Sequence, residues 1–315
     1  MDSSPSPTAP PPPSCTTAIP SAHGYVPPTA CNANYGFHPS FEWNLVFAVA
    51  FGITTVAHAI QTYHYRKWFP LTILLAALQQ TLCFVLRALG ALDQQNSTYV
   101  IVSTLLFLLA PLWINAFLYL STARLSHLYF PSSRFLGLAP RVVTKVFILA
   151  DVLSFFIQAA GGGMMAQADA SDRTLARTGQ KVYMAGIGVQ LGFVVVFCFG
   201  VGRLLRRMRR GGVGGRRGMG TVWGVVGVGG LIVVRVVFRL VEFGWGAEAS
   251  NPILGNEAYQ LGLDALPMVV ALVVVNVVHP AAVLKGEGGS YHTKGGRGGL
   301  EGSEARDSIG RKVVE

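Results

Sequence analysis

Seven apolar runs follow one another along the chain, at about 42–62, 70–91, 99–122, 141–165, 181–204, 221–243 and 258–281. Each is close to the ~20 residues a helix needs to cross a bilayer. Short polar breaks separate them. The pattern predicts an all-α membrane protein, a bundle of seven transmembrane helices over residues 41–284. Pro70, Pro140 and Pro280 fall near helix ends, where proline is tolerated. Pro111 and Pro267 fall inside helices 3 and 7 and should kink them. Residues 1–40 are rich in Pro, Ser and Thr, the composition of a flexible extended tail. No basic stretch followed by an apolar core precedes the first run, so no cleavable signal peptide is expected and the first helix does the targeting. Residues 285–315 are Gly-rich and charged and read as a second disordered tail.

Composition agrees with this pattern. Only 13% of residues are charged, against about 25% in soluble domains. The net charge of +10 would suggest a nucleic-acid partner, but its distribution says otherwise. Loops on one side of the bundle, with the C-terminal tail, hold nineteen Lys and Arg residues, and loops on the other side hold three. Three more, Arg87, Arg235 and Arg239, lie within helices. This bias predicts an outside N-terminus and a cytosolic C-terminus. The arginine-rich loop 203–217 is expected to rest on anionic inner-leaflet lipid, at about 1 kcal/mol per nearby Arg. No nucleic acid is expected. Asn96-Ser97-Thr98 fits a glycosylation acceptor that lies too close to the membrane to be used. Cys83 and Cys198 sit in apolar runs as small core residues, whereas Cys15 and Cys31 could pair if their segment is exported.

Candidate chemistry comes from polar residues inside the apolar runs. In LIVVRVVFRLVEFGWG (231–246), Arg235, Arg239 and Glu242 share one helical face. A charge near a bilayer centre costs roughly 2.5–3.5 kcal/mol on insertion scales, so such residues face other helices or a wet cavity. They read either as a structural lock between helices or as a site for an amphipathic ligand's head group. Depth along the helices puts Arg87, Asp151, Gln158, Gln190 and Asp264 in the same central and outer zone, three cations against three acids with Glu242. Pairing within one polar cluster is the expectation. A second set, His58, Asn115, Asn276 and His279, is assigned to the inner ends. No HxxxH or HExxH spacing occurs, so no metal is expected. No Walker loop and no GxSxG elbow occur, so neither an enzyme nor a cofactor is expected. Gly161–Gly163 reads as a flexible helix end. Gly188/Gly192 and Gly220/Gly224 permit close helix contact.

Taken in order, YGFHPSFEWNLVFAVAFG (35–52) with His58, LLAPLWINAFLY (108–119), DVLSFFIQAAGGG (151–163), GIGVQLG (186–192), VRVVFRLVEFGWG (234–246), and EAYQLGLDALPM with NVVHP (257–280) resemble the fungal RTA-like family of lipid-translocating exporters. That family tends to carry a Glu, a Gly-Tyr pair and an Arg on helix 2. Here Gln80, Cys83 and Phe84 precede Arg87, without the acid that proton coupling on helix 2 would use. The resemblance implies a seven-helix fungal membrane protein of lipid stress that translocates amphipathic lipids such as sphingoid bases; the plasma membrane is the expected location. It points to Arg235, Arg239, Glu242, Asp151, Gln158 and Asp264 as site residues. The alternative is a seven-helix sensor of a lipid or sterol-like ligand that signals to a cytosolic protein partner through the arginine-rich third loop.

Overall fold

The computed structural model describes residues 16–130, 135, 137–167, 173–245 and 251–284. Residues 1–15, with Cys15, and the 285–315 tail lie outside the described residues. Six long helices are continuous: α1 (Phe41–Tyr65), α2 (Leu71–Leu92), α3 (Ser97–Tyr129), α4 (Pro140–Gln167), α5 (Arg173–Gly211) and α6 (Gly215–Gly244). The seventh span, Glu257–Val283, is interrupted. It consists of α7 (Glu257–Gln260), a π-turn (Leu261–Ala265), α8 (Leu266–Val277) and α9 (Pro280–Val283). All seven spans are long and apolar enough to cross a membrane.

Consecutive helices pack side by side, and the seventh span closes the ring against α6 and α1. α3 also reaches across to α6. The outward surface is apolar: Ile53, Leu149, Phe156 and Val277 are all well exposed. Such a surface is stable only against lipid tails. Chain direction gives the bundle two ends. The N-terminal rim carries the start of α1, the end of α2 and the start of α7. The arginine rim carries the turn between α5 and α6. At 1.5 Å per residue, the 39 residues of α5 are nearly twice as long as a ~30 Å hydrocarbon core. The ends of α3 and α5 therefore project beyond the core.

Helix starts follow local capping chemistry. Ser40, Asn96 and Asn256 accept from the backbone N–H of Trp43, Thr98 and Ala258, which opens α1, α3 and α7. His279 Nδ1 does the same for α9, accepting from Ala281 N at 3.1 Å.

Residues 16–40 are not the free tail that their share of the Pro/Ser/Thr composition suggests. Gln94 N donates to the His23 carbonyl at 2.9 Å. Gln95 Nε2 donates to the Gly24 carbonyl at 2.8 Å, and Asn34 Nδ2 to the Gln94 carbonyl at 3.0 Å. Gly24 has φ +74°, and a Cβ there would press on Gln95. Tyr35 sits against Gly90 with its phenol on the site a Cβ would take. Burial raises the pKa of that phenol. Asn34, Tyr35 and the carbonyls of His23 and Gly24 give this stretch its partners on the end of α2 and the α2–α3 turn. Cys31 is disulfide-bonded, and Cys83 and Cys198 are free.

The glycines bring helices together at places that their spacing does not announce. Gly188, Gly192 and Gly220 have nothing within 4 Å of a built Cβ. Among the four spaced glycines only Gly224 packs closely, against Val278. The tight crossing is instead between α4 and α5. A Cβ on Gly161 would fall on the Tyr183 backbone and 2.6 Å from the Gly179 carbonyl, and one on Gly186 would fall 3.0 Å from the Ser154 carbonyl. Gly161 therefore lies inside α4 as a contact, not at a flexible end. Gly161→Val is expected to cost roughly 1–3 kcal/mol by forcing two backbones apart, and Gly188→Val close to nothing. Thermal unfolding of the two variants in detergent checks this, and equal stabilities would remove the crossing.

Candidate functional site

Two prolines prepare the centre of the bundle. Pro111 has no N–H to offer the carbonyl four residues earlier, that of Phe107. The freed carbonyl accepts from Arg235 NH2 at 3.3 Å. Pro267 is the second residue of α8, two positions past the end of the π-turn. The extra residue in that turn absorbs what proline disrupts and re-aims the helix face. Asp264 lies within this turn and is fully buried.

Around Asp264 the expected cluster forms. Arg235 Nε pairs with Asp264 Oδ1. Arg239 Nε lies 2.8 Å from Asp264 Oδ2, and Arg239 NH1 lies 2.8 Å from Glu242 Oε2. One acid thus holds two arginines one helical turn apart, and Glu242 holds the second arginine again. Asn251 Nδ2 donates to the Glu242 carbonyl at 2.7 Å and closes the cluster on the N-terminal rim side.

Arg87 belongs to a second pair that sequence reasoning did not find. Its partner is Glu257 at 3.1 Å. Asn44 Nδ2 donates to Glu257 Oε1 at 2.7 Å, Arg87 Nε donates to Asn44 Oδ1 at 2.9 Å, and Ser40 N donates to Glu257 Oε2 at 2.7 Å. All three side chains are buried. The two clusters meet at one ring. The guanidinium carbons of Arg87, Arg235 and Arg239 lie 5.9, 5.4 and 5.4 Å from the centroid of Phe107. These are cation–π distances, and burial strengthens such contacts.

Asp151 does not join an arginine. Its Oδ2 accepts from Asn115 Nδ2 and Tyr119 Oη, both at 2.9 Å. Asn115 and Tyr119 are one turn apart on α3 and aim at one carboxylate. Three arginines still balance three acids, with Glu257 in the place the sequence reading gave to Asp151. Asn115 leaves the inner-end group for the same reason. Gln158 Nε2 donates to Gln190 Oε1 at 3.1 Å. These two amides, with Arg235, Arg239, Phe155 and Pro111, bound a cavity of about 20 Å³, room for about one water.

The inner histidines do come together. The His58 and His279 rings lie 6.2 Å apart, and Tyr65 stacks on His279 at 5.1 Å. Gln61 Nε2 donates to the Asn276 carbonyl at 2.8 Å. The amide of the buried Gln80 has no hydrogen-bond partner among the described residues. Among the described residues no group of three or more His, Cys, Asp or Glu could hold a metal.

A lateral groove of about 440 Å³ opens beside Glu257, lined by Trp43, Phe47, Leu261, Gly262 and Leu266 among others. It is an apolar slot in the lipid-facing surface with a buried ion pair at its head.

A family profile described as "RTA1 like protein" matches residues 73–287. The chain is 34% identical to "Probable lipid transporter atnI" of Emericella nidulans, over 87% of this chain and 74% of that protein. It is 27% identical to "Protoporphyrin uptake protein 1" of Saccharomyces cerevisiae, over 77% of this chain and 90% of that protein. It is 26% identical to "Sphingoid long-chain base transporter RSB1" of the same yeast, over 53% of this chain and 44% of that protein. No solved structure matches the chain.

Proposed function

Because the chain belongs to the RTA1-like family, we propose that it moves amphipathic lipids across the bilayer, taking them in through the groove beside Glu257. The observation that carries this reading is the juxtaposition of an apolar, laterally open groove with the Arg87–Glu257 pair. An amphipathic molecule needs both halves: a slot for its chain and fixed charge for its head. The relatives named for sphingoid bases and for protoporphyrin favour transport over the sensor reading. A sphingoid base carries an amine and protoporphyrin carries carboxylates. Glu257 lines the groove and Arg87 stands 3.1 Å from it, so an acid is at hand for the amine and an arginine behind it for a carboxylate.

From the head of the groove, Phe107 leads to the Arg235–Asp264–Arg239 cluster, then to Gln158 and Gln190. The one-water cavity there is the closed form of a passage, which must widen to admit a head group. The unpartnered amide of Gln80 and the histidine pair extend polar groups toward the arginine rim. On the Lys/Arg asymmetry the N-terminal rim faces outward and the arginine rim faces the cytosol, and the membrane we assign is the plasma membrane. The arginine-rich segment 203–217 then meets anionic inner-leaflet lipid.

The test is leaflet exchange of a fluorescent sphingoid base in proteoliposomes without ATP. Gly262 lines the groove, and a Cβ there meets nothing within 4 Å, so Gly262→Trp fills the slot without disturbing the fold. Wild type is expected to accelerate exchange, and Gly262→Trp to reduce that acceleration about tenfold, equivalent to ~1.4 kcal/mol. Wild-type protein that leaves exchange at the rate of empty vesicles overturns the transport reading. An active Gly262→Trp variant overturns the route.

A further inference from the structure

At the arginine rim a second cavity of about 440 Å³ lies between the end of α3, Phe135 and the projecting end of α5. Arg203, Arg206, Arg207 and Arg210 line it, with Ser126, Phe130 and Phe199. The four arginines stand at i, i+3, i+4 and i+7, which is one face of a helix. Arg209, Arg216 and Arg217 are absent from the lining. We propose that this cavity is a binding site for one phosphate-bearing membrane lipid whose head group sits among these four arginines. It builds on the side assigned to the arginine rim above, but not on whether the protein moves lipids.

Three features separate this from a diffuse basic surface. First, among the described residues no acid pairs with these arginines. No Asp or Glu occurs from Gln94 to Ala150 or from Arg173 to Val241, so α3 and α5 bring no carboxylate to the cavity. Four like charges around one space raise a strong positive potential that an anion relieves. Second, part of the site is held in place. The Arg207 guanidinium lies 4.2 Å from the Phe130 ring centroid and that of Arg203 lies 5.5 Å from Phe199. Planar guanidinium groups stacked on rings keep their N–H edges available for phosphate oxygens. Third, the depth suits a lipid better than a soluble phosphate. Arg203 stands at the end of the apolar run of α5, where the hydrocarbon core gives way to head groups. Phe199, one turn deeper, is 57% exposed and offers an acyl chain its first contact. A phosphomonoester suits the site best, because a second negative charge and a third free oxygen engage more of the four arginines.

The test uses the full-length protein with vesicles of neutral phosphatidylcholine containing a fluorescent phosphatidate. Two double variants remove equal charge: Arg203→Gln with Arg207→Gln inside the cavity, and Arg209→Gln with Arg216→Gln outside it. Wild type is expected to bind one phosphatidate per chain with saturation. Loss of two charge-assisted contacts should weaken the cavity variant about tenfold or more. The outside variant should shift less than about twofold, as surface charges do. Glycerol phosphate should fail to compete. Equal weakening by the two variants, or binding that never saturates, would mean a diffuse electrostatic layer and overturn the site. Competition by glycerol phosphate at the same concentrations would overturn the lipid assignment. Thermal unfolding of both variants at the wild-type temperature ties either result to binding.

Discussion

Asp264→Ala is expected to destabilise the bundle by about 3–5 kcal/mol, the range for stripping one partner from a buried ion pair. The residue is fully buried and touches both Arg235 and Arg239. Without it Arg239 keeps Glu242, but Arg235 keeps only the Phe107 carbonyl and ring. A guanidinium with no counter-ion at that depth is the dominant cost. Replacing both members of a buried pair by apolar groups of similar shape is often neutral. Asp264→Leu with Arg235→Met should therefore recover most of the loss, because Arg239–Glu242 stays balanced. The measurement is thermal or denaturant unfolding in detergent. A double variant as unstable as Asp264→Ala would show that the acid is needed for the shape of the π-turn and not for the charge of Arg235.

The same pair shows which parts of the site the sequence discloses. Arg235, Arg239 and Glu242 share a face by spacing alone, and Asp264 lies at matching depth on the seventh span, so this cluster is readable from hydropathy and period. Depth, however, is one coordinate of three. Rotation about the helix axis and the order of neighbours decide the rest. Asp151 has the depth to meet an arginine, but its face of α4 looks at Asn115 and Tyr119 on α3. Asn115 was misgrouped for the same reason. Glu257 escaped because an acid at the start of a span reads as a solvated cap. The signal that could have found it is the unmatched cation: Arg87 sits near the same rim and needs a partner.

Helix ends obey a similar limit. The seven spans are plain because a bilayer imposes ~20 apolar residues on each. The overhangs of α3 and α5 are polar and helical, and hydropathy is blind to them. The arginine cavity lies in those overhangs, so its four arginines read in sequence only as a topology signal. Glycine spacing fails for a related reason. Gly188 and Gly192 are four apart on one face, but that face looks away from other helices.

Glu257→Ala is expected to cost about 3 kcal/mol or more and to loosen one region selectively. Its carboxylate joins three pieces of chain: Arg87 on α2, Asn44 on α1, and the Ser40 amide that ends the N-terminal segment. Removing it leaves Arg87 with Asn44 Oδ1 and aromatic rings alone. It also leaves the Ser40 N–H without its acceptor. Residues 25–40 should then exchange amide hydrogens faster than in wild type, while α4 and α5, which make no contact with Glu257, keep their protection. Glu257→Gln separates charge from shape. The amide oxygen can still accept on one side, but its NH2 must face either Ser40 N or Asn44 Nδ2, donor against donor. It should lie between wild type and Ala in stability and still release the segment if the NH2 turns toward Ser40. Arg87→Met with Glu257→Leu removes both charges and should restore most of the global stability without restoring protection at Ser40. Uniform loss of protection across all seven spans in Glu257→Ala would contradict a local clasp. Unchanged exchange at residues 25–40 would show that the α2–α3 turn alone holds the segment.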